Sequence, residues 1–156
     1  MPIRLILIEN DTFYHVYNRG FLKAPIFKNN KDCHKFISLI KKYQKRHEVI
    51  IKSFALMENH IHFLLMQHKE DSIRKFMQYL QMAFALYFNN KYRREGPLFG
   101  TRYKAKPVLE DDYYIEIKKY IANNPIEKVL KLTSKENSLI NSSTQTLGSG
   151  ANLPFY

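Results

Sequence analysis

The sequence has few of the features that mark secreted or membrane proteins. It contains one cysteine, Cys33, so no disulfide can form within the chain, which fits a reducing cytoplasm. The apolar run within residues 1–10 is too short for a signal peptide. No stretch is long enough, without charges, to span a bilayer. We therefore expect a soluble cytoplasmic protein with no membrane association.

Acidic residues are scarce as well. There are 14 Asp and Glu against 25 Lys and Arg, which gives a net charge of +11. Such an excess favours a polyanionic partner, either nucleic acid or an anionic membrane surface, and we favour nucleic acid. With 156 residues, 45% of them hydrophobic, the chain predicts one folded domain. We place that domain at residues 1–133, followed by a polar and loosely ordered tail at 134–156.

The spacing of apolar residues predicts the order of helices and strands. Strands are predicted at 12–18, 49–57, 60–67 and 102–109, and helices at 31–47, 73–92 and 113–124. This order is the βαββαβ ferredoxin-like plan, an α+β fold with a four-stranded antiparallel sheet, here with an added C-terminal helix. In that plan the first and third strands are neighbours at the centre of the sheet.

Two histidines, His60 and His62, flank Ile61 at the start of the third strand. Side chains alternate along a strand, so the two imidazoles share one face while Ile61 points to the core. Paired imidazoles are half of a site for a divalent cation, although they also fit partly exposed polar positions on a half-buried strand. His15 on the first strand could lie beside them, as an outer-shell partner or as a packed residue.

A basic and aromatic stretch, residues 91–106, precedes and enters the fourth strand. Lysine and arginine neutralise phosphates, and aromatic rings stack on unpaired bases at about 1–3 kcal/mol per base. The alternative is a solvated turn whose aromatic rings anchor it to the core. Together with one residue after the first strand, the predicted nucleic-acid contacts are Arg19, Lys91, Arg93, Arg94, Phe99, Arg102, Tyr103 and Lys104.

The last predicted helix carries Tyr120 and Asn124, four residues apart. This spacing places both on one side of the helix. On this evidence alone, a core tyrosine with a hydrogen-bonded hydroxyl is the better interpretation of Tyr120. A nucleophilic role requires further support from the rest of the chain.

Four segments in order resemble the single-tyrosine HUH transposases, and within them the IS200-like REP-associated tyrosine transposases. They read FYHVYNRG, MENHIHFLL, RREGPLFGTRYKA and DDYYIEIKKYIANNP. The resemblance covers residues 13–130, and the tail beyond matches nothing comparable. Glu58 stands where the family often has proline. The resemblance implies that residues 1–133 form a catalytic domain that nicks and rejoins DNA.

The resemblance also implies the roles of individual residues. His60, His62 and Asn124 correspond to the ligands of a divalent metal, Mg²⁺ or Mn²⁺. Tyr120 corresponds to the nucleophile that forms a 5′-phosphotyrosine, with Tyr113 and Tyr114 as alternatives. The implied partner is single-stranded or hairpin DNA, and some members of the family form homodimers while others act as monomers.

Two other functions fit part of the sequence. A non-catalytic nucleic-acid-binding module on a ferredoxin-like sheet would explain the charge and the aromatic residues. It would not explain the histidine pair together with Tyr120 and Asn124. A metallohydrolase would use the histidines without covalent tyrosine chemistry, and it would release a free 5′-phosphate.

Overall fold

The computed structural model describes residues 7–108. The chain forms, in order, β1 (Phe13–Arg19), a short 3-10 turn (Phe21–Lys23), α1 (Asn30–His47), β2 (Val49–Met57), β3 (His60–Gln67), α2 (Ser72–Tyr92) and β4 (Lys104–Pro107). Each predicted element up to residue 108 is present, and β4 is shorter than the predicted strand at 102–109. The predicted helix at 113–124 and the tail at 134–156 lie outside the described residues.

The four strands form one antiparallel sheet in the order β2-β3-β1-β4. This is the strand order of the ferredoxin-like plan, so the predicted α+β fold is confirmed. β1 and β3 lie side by side at the centre, as expected. Residues far apart in sequence are thereby brought into direct register, with Phe13 opposite Met66 and Arg19 opposite His60.

Both helices pack against one face of the sheet and form the core with it. Alternate residues of the strands point to this face, because side chains alternate along a strand. Aromatic rings fill much of the space: Phe36 of α1 meets Phe84 of α2 edge to face at 4.9 Å, and Phe63 of β3 meets Phe76 of α2 at 5.9 Å. This arrangement leaves the other face of the sheet for the histidines.

A buried carboxylate joins the start of α1 to the end of α2. Asp32 accepts hydrogen bonds from Tyr92 Oη at 2.6 Å, Lys91 Nζ at 2.7 Å, the Lys28 backbone N–H at 2.9 Å and Tyr87 Oη at 3.0 Å. Burial by itself would raise the pKa of Asp32, but these hydrogen bonds outweigh it and lower the pKa. Asp32 is therefore an ionised link between the two helices.

Within residues 7–108, neither helix is both long enough and apolar enough to cross a membrane. α2 is the longer of the two, and lysine, arginine and amide side chains interrupt its apolar positions.

Candidate active site

The histidine pair lies on the face of the sheet opposite the helices. The register pairs Tyr17 of β1 with His62 of β3, and Arg19 with His60. Directly paired residues on antiparallel strands point to the same face. His60, His62, Tyr17 and Arg19 therefore share one surface, while Ile61 is fully buried in the core. The rings of His60 and His62 are nearly perpendicular, with centroids 4.9 Å apart.

His15 lies directly against His62. Nε2 of His15 is 2.9 Å from Nδ1 of His62, within hydrogen-bond distance, and both side chains are fully buried. The two rings are stacked, with centroids 5.2 Å apart, and Tyr17 stacks on His15 from 4.8 Å. His15 therefore lies beside the pair as predicted, and a role as an outer-shell partner of a metal stays a prediction.

The residue before His60 sets the protonation of that ring. Oδ1 of Asn59 lies 2.6 Å from Nδ1 of His60, and Nδ2 of Asn59 donates to the backbone oxygen of Lys23 at 3.3 Å. A carboxamide oxygen only accepts hydrogen bonds, so Nδ1 of His60 carries the proton. The lone pair of a neutral His60 is therefore on Nε2, a nitrogen that can bind a metal.

Burial keeps all three imidazoles neutral. It lowers the pKa of His15 to about 3, with a further effect from Lys106, and that of His60 to about 4, with a further effect from Arg19. Burial lowers the pKa of His62 to about 2, helped by the neighbouring His15, His60 and Arg19. A metal binds the neutral form of imidazole, so the pair has the ligand form at neutral pH without losing a proton first.

Positive charges border the histidines. In the register of β1 with β4, Lys104 is opposite Tyr17 and Lys106 is opposite His15, so both lysines project from the histidine face. Both are exposed at the edge of the sheet, and Arg19 is half-buried beside His60. The surface formed by Arg19, Lys104 and Lys106 is called the cationic rim below, and its charge favours phosphate groups.

A comparison with known protein families identifies the family to which the chain belongs. The profile of the IS200-like transposases matches residues 10–124. The chain belongs to this family. The match spans the histidine strand, the cationic rim and the segment with Tyr120 and Asn124, so it confirms the resemblance found in the four sequence motifs.

Solved structures share the fold of this IS200-like transposase. A candidate transposase from Deinococcus radiodurans R1 aligns with a TM-score of 0.52 and 15% identity, over 73% of this chain and 91% of that chain. A REP-associated tyrosine transposase bound to a REP hairpin aligns with a TM-score of 0.51 and 10% identity, over 74% of this chain and 67% of that chain. Among curated proteins, none matches the sequence significantly.

The structure covers two of the three predicted metal ligands. His60 and His62 are adjacent on the histidine face, whereas Asn124 and the predicted nucleophile Tyr120 lie outside the described residues. Between residues 7 and 108 there is no group of three or more His, Cys, Asp or Glu residues that could hold a metal. The donors seen are therefore two neutral imidazoles, which fit a divalent cation that takes further ligands from elsewhere.

The predicted DNA contacts fall into two groups. Arg19 and Lys104 belong to the cationic rim, and Arg93 and Arg102 are exposed in the segment between α2 and β4. Arg93 also ends α2 in a left-handed conformation, with φ of 49°. These four side chains are placed where they can meet phosphate, and their binding to DNA stays a prediction.

The other four predicted contacts have structural partners. Lys91 is ion-paired with buried Asp32, and Tyr103 is a core residue only 8% exposed. Arg94 donates to Asn89 Oδ1 at 2.7 Å and to the Pro97 backbone oxygen at 3.2 Å, which braces the segment before β4. The ring of Phe99 is partly buried against the core. For these residues the anchoring alternative describes the contacts seen, and DNA binding stays a prediction.

Sequence reasoning missed residues that only the strand register brings to the site. Lys106 is a basic residue of the stretch 91–106 that the predicted contacts do not include. Its position two residues after Lys104 would have placed both on one face of β4. Asn59 lies in the turn between β2 and β3. No local signal reveals its contact with Lys23, which comes from a different loop.

Proposed function

We propose that this IS200-like transposase nicks and rejoins single-stranded DNA through a covalent 5′-phosphotyrosine on Tyr120. The observation that carries the proposal is the neutral pair His60 and His62, side by side on one face of the sheet and bordered by the cationic rim. Family membership supports transposition as the biological process. The related fold bound to a REP hairpin supports hairpin-forming DNA as the substrate.

In this proposal, His60 and His62 hold a divalent cation, Mg²⁺ or Mn²⁺, together with Asn124. When bound, such a cation stabilises the negative charge that develops on a phosphate during transfer. Asn59 fixes His60 so that Nε2 faces the cation. If His62 also binds through Nε2, its Nδ1–H donates to Nε2 of His15, which then acts as the orienting partner.

The chemical step is a transesterification, in which one phosphodiester bond is exchanged for another. Tyr120 Oη loses its proton and attacks phosphorus, the P–O3′ bond breaks, and the 3′ oxygen takes up a proton. A free tyrosine has a pKa of about 10, so a proton acceptor is required. The product keeps a phosphodiester link, so attack by a 3′-hydroxyl reverses the step without ATP. The cationic rim holds the phosphates of the strand during both steps.

The test uses a labelled single-stranded hairpin oligonucleotide with Mn²⁺. Wild-type protein should form an adduct that survives a denaturing gel, and Tyr120→Phe should abolish it while DNA binding is unchanged. Tyr113→Phe and Tyr114→Phe are the matched controls and should retain the adduct. If Tyr120→Phe still forms the adduct, Tyr120 is not the nucleophile.

Two other results would replace the proposal with the alternatives. Salt-sensitive DNA binding by wild-type protein, with neither cleavage nor adduct, would indicate a non-catalytic binding module. Metal-dependent cleavage that leaves a free 5′-phosphate and no adduct would indicate a metallohydrolase.

A homodimer is part of the same proposal. Within residues 7–108, β2 and β4 each pair with a strand on one side only, and such edges can pair with a second copy. Sedimentation velocity with and without the hairpin oligonucleotide would detect a dimer. A single monomeric species in both conditions would contradict the homodimer.

A further inference from the structure

A pocket of about 320 Å³ opens beside the histidine face at the end of β1. It lies between the 3-10 turn, the segment before β4 and the first residue of β4. Pockets that hold small ligands have volumes of about 300–1,000 Å³, so this one has room for a small ligand, on the scale of one nucleotide. The residues that line it include Tyr17, Arg19, Phe21, Leu22, Lys23 and Lys104.

Backbone hydrogen bonds hold the walls of this pocket in place. Gly20 N–H donates to the Asn59 oxygen at 2.8 Å, Phe21 N–H to the Leu98 oxygen at 2.9 Å, and Gly100 N–H to the Arg19 oxygen at 2.9 Å. Asn18 adds side-chain hydrogen bonds to Gln81 and to the Thr101 backbone. The pocket is therefore held by contacts among four separate parts of the chain: residues 18–21, Asn59, Gln81 and residues 98–101.

The 3-10 turn stores backbone strain at the pocket wall. Leu22 and Lys23 have φ values of 53° and 60°, a left-handed conformation that side-chain-bearing residues rarely adopt. Such strain persists where surrounding contacts enforce it, and it is concentrated at binding and catalytic sites. In the same turn, Leu22 is 83% exposed and Phe21 is 40% exposed. Exposed apolar groups at a pocket wall suit a flat apolar ligand.

The positive charge of the residues that line the pocket favours an anionic ligand. Arg19, Lys23 and Lys104 line the pocket, and no acidic residue does. A ligand with a flat ring and a phosphate would use both properties, because the ring can stack on Phe21 while the phosphates meet the lysines. A nucleotide has this composition.

The pocket is continuous with the histidine site. Tyr17 and Arg19 line the pocket and are also the register partners of His62 and His60. Asn59 joins the two sites a second time. Its side chain contacts Nδ1 of His60 and donates to the backbone oxygen of Lys23, and its backbone oxygen accepts from the N–H of Gly20. A ligand in the pocket would thus lie next to a phosphate held at the histidines.

We infer that this pocket binds one unpaired nucleotide of the DNA strand, adjacent to the phosphate that is cut, with its base stacked on Phe21 and its phosphates on Lys23 and Lys104. The inference rests on the proposed function for the identity of the strand. The pocket thereby selects single-stranded over duplex DNA next to the cleavage site, because a paired base cannot enter it.

The first test removes the stacking ring. Phe21→Ala should weaken binding to a fluorescein-labelled single-stranded oligonucleotide by about 5- to 150-fold, the effect of losing one base–aromatic stack, when anisotropy is measured in EDTA. Tyr79→Ala is the matched control, since Tyr79 is also 40% exposed but lies on α2. It should leave the affinity unchanged.

The second test counts phosphate contacts. Lys23→Gln should reduce the slope of log affinity against log salt by about 0.7, the value for one phosphate contact on a single strand. Lys41→Gln, at an exposed position of α1, is the control and should leave the slope unchanged.

The third test identifies the bound nucleotide. Abasic sites are introduced one at a time along the oligonucleotide, and each is measured with wild-type protein and with Phe21→Ala. At one position the two losses should be non-additive, because the same stack is removed twice. Purely additive losses at every position, or wild-type affinity of Phe21→Ala, would overturn the pocket assignment.

These results separate the pocket from the proposed chemistry. Adduct formation on Tyr120, together with additive losses of DNA affinity, would support the nicking function and contradict nucleotide binding in the pocket. Non-additive losses of DNA affinity without any adduct would establish the pocket as a binding site for single-stranded DNA and contradict the nicking function.

Discussion

At the scale of single residues, hydrogen bonds to the histidines decide what the pair can do. His60 and His62 are ligand candidates because of their residue type, but the nitrogen each one presents depends on its neighbours. Asn59 Oδ1 accepts from His60 Nδ1, and His15 Nε2 meets His62 Nδ1. Both contacts involve Nδ1, which leaves Nε2 of each ring as the nitrogen that is proposed to hold the cation.

Asn59→Ala removes the acceptor that orients His60. We expect the affinity for Mn²⁺ to fall by about 10- to 100-fold, the usual effect of losing an orienting partner. Mn²⁺ binding to the protein alone, measured by electron paramagnetic resonance, reads this directly. Asn90→Ala, an exposed asparagine on α2, should bind Mn²⁺ like wild type. Equal affinities for Asn59→Ala and wild type would show that Asn59 does not orient a ligand.

At the scale of elements, short connections position the site and one buried charge joins the helices. The turn after β1 passes so close to itself that a Cβ at Gly20 would lie 2.2 Å from the Ala24 backbone oxygen. Asp32 joins α1 to α2 through three hydrogen bonds, from Tyr87, Lys91 and Tyr92. Each feature leads to a stability prediction with a control in the same chain.

Gly20→Ala should lower the free energy of unfolding by about 1–3 kcal/mol, because the added methyl group forces the backbone of the turn apart. Urea denaturation measures the change. Gly100→Ala is the control: its nearest neighbours would be 3.5 Å from the new Cβ, which is ordinary contact, so stability should hardly change. Equal stability of Gly20→Ala and wild type would show that the turn moves at little cost.

Asp32→Asn should lower the free energy of unfolding by about 1.5–3 kcal/mol at pH 7, because charged hydrogen bonds to Lys91, Tyr87 and Tyr92 are lost. Asp71→Asn is the control, since its ion pair with Arg74 is exposed and screened by solvent, so its stability should stay close to that of wild type. Denaturant titration of the three proteins gives both values.

The Asp32→Asn difference should also depend on pH. Folding lowers the pKa of Asp32, so the unfolded state binds its proton first as the pH falls. The advantage of wild type is therefore complete above the ordinary aspartate pKa of about 3.9 and is lost as the pH falls through the lower folded pKa. A difference that stays constant down to pH 2 would contradict an ionised Asp32.

At the scale of the whole molecule, charge and metal are expected to serve separate steps. A net charge of +11 attracts a polyanion without any metal, whereas the histidine pair is proposed to act only in the transfer step. Binding and cleavage should therefore respond differently to salt and to chelators.

Chelation with EDTA should abolish cleavage of the hairpin oligonucleotide and leave its binding within about twofold, while added salt should weaken binding steeply. His60→Ala combined with His62→Ala should reproduce the effect of EDTA, and His34→Ala, at an exposed position on α1, should not. Anisotropy and denaturing gels on the same samples give both quantities. Cleavage that continues in EDTA would remove the metal from the proposal.

Much of this protein could be predicted from local patterns in the sequence. Alternation along a strand is a property of the backbone, so the shared face of His60 and His62 followed from their spacing alone. The order of elements likewise indicated a ferredoxin-like sheet, which the strand order β2-β3-β1-β4 confirms. Family motifs supplied roles for Tyr120 and Asn124, which lie outside the described residues.

Tertiary structure alone decided the surroundings of the histidines. The contact between His15 and His62 spans 47 positions, and the contact between Lys23 and Asn59 spans 36. Such contacts depend on the strand register and on the path of the loops, and the periodicity of apolar residues does not indicate either. The same long-range packing placed Lys91 on Asp32 and Tyr103 in the core, and neither contact is visible in the local sequence. Residue type and local spacing thus determined which side chains could bind a metal or a phosphate. Long-range pairing of the strands and loops determined which of these side chains lie next to one another.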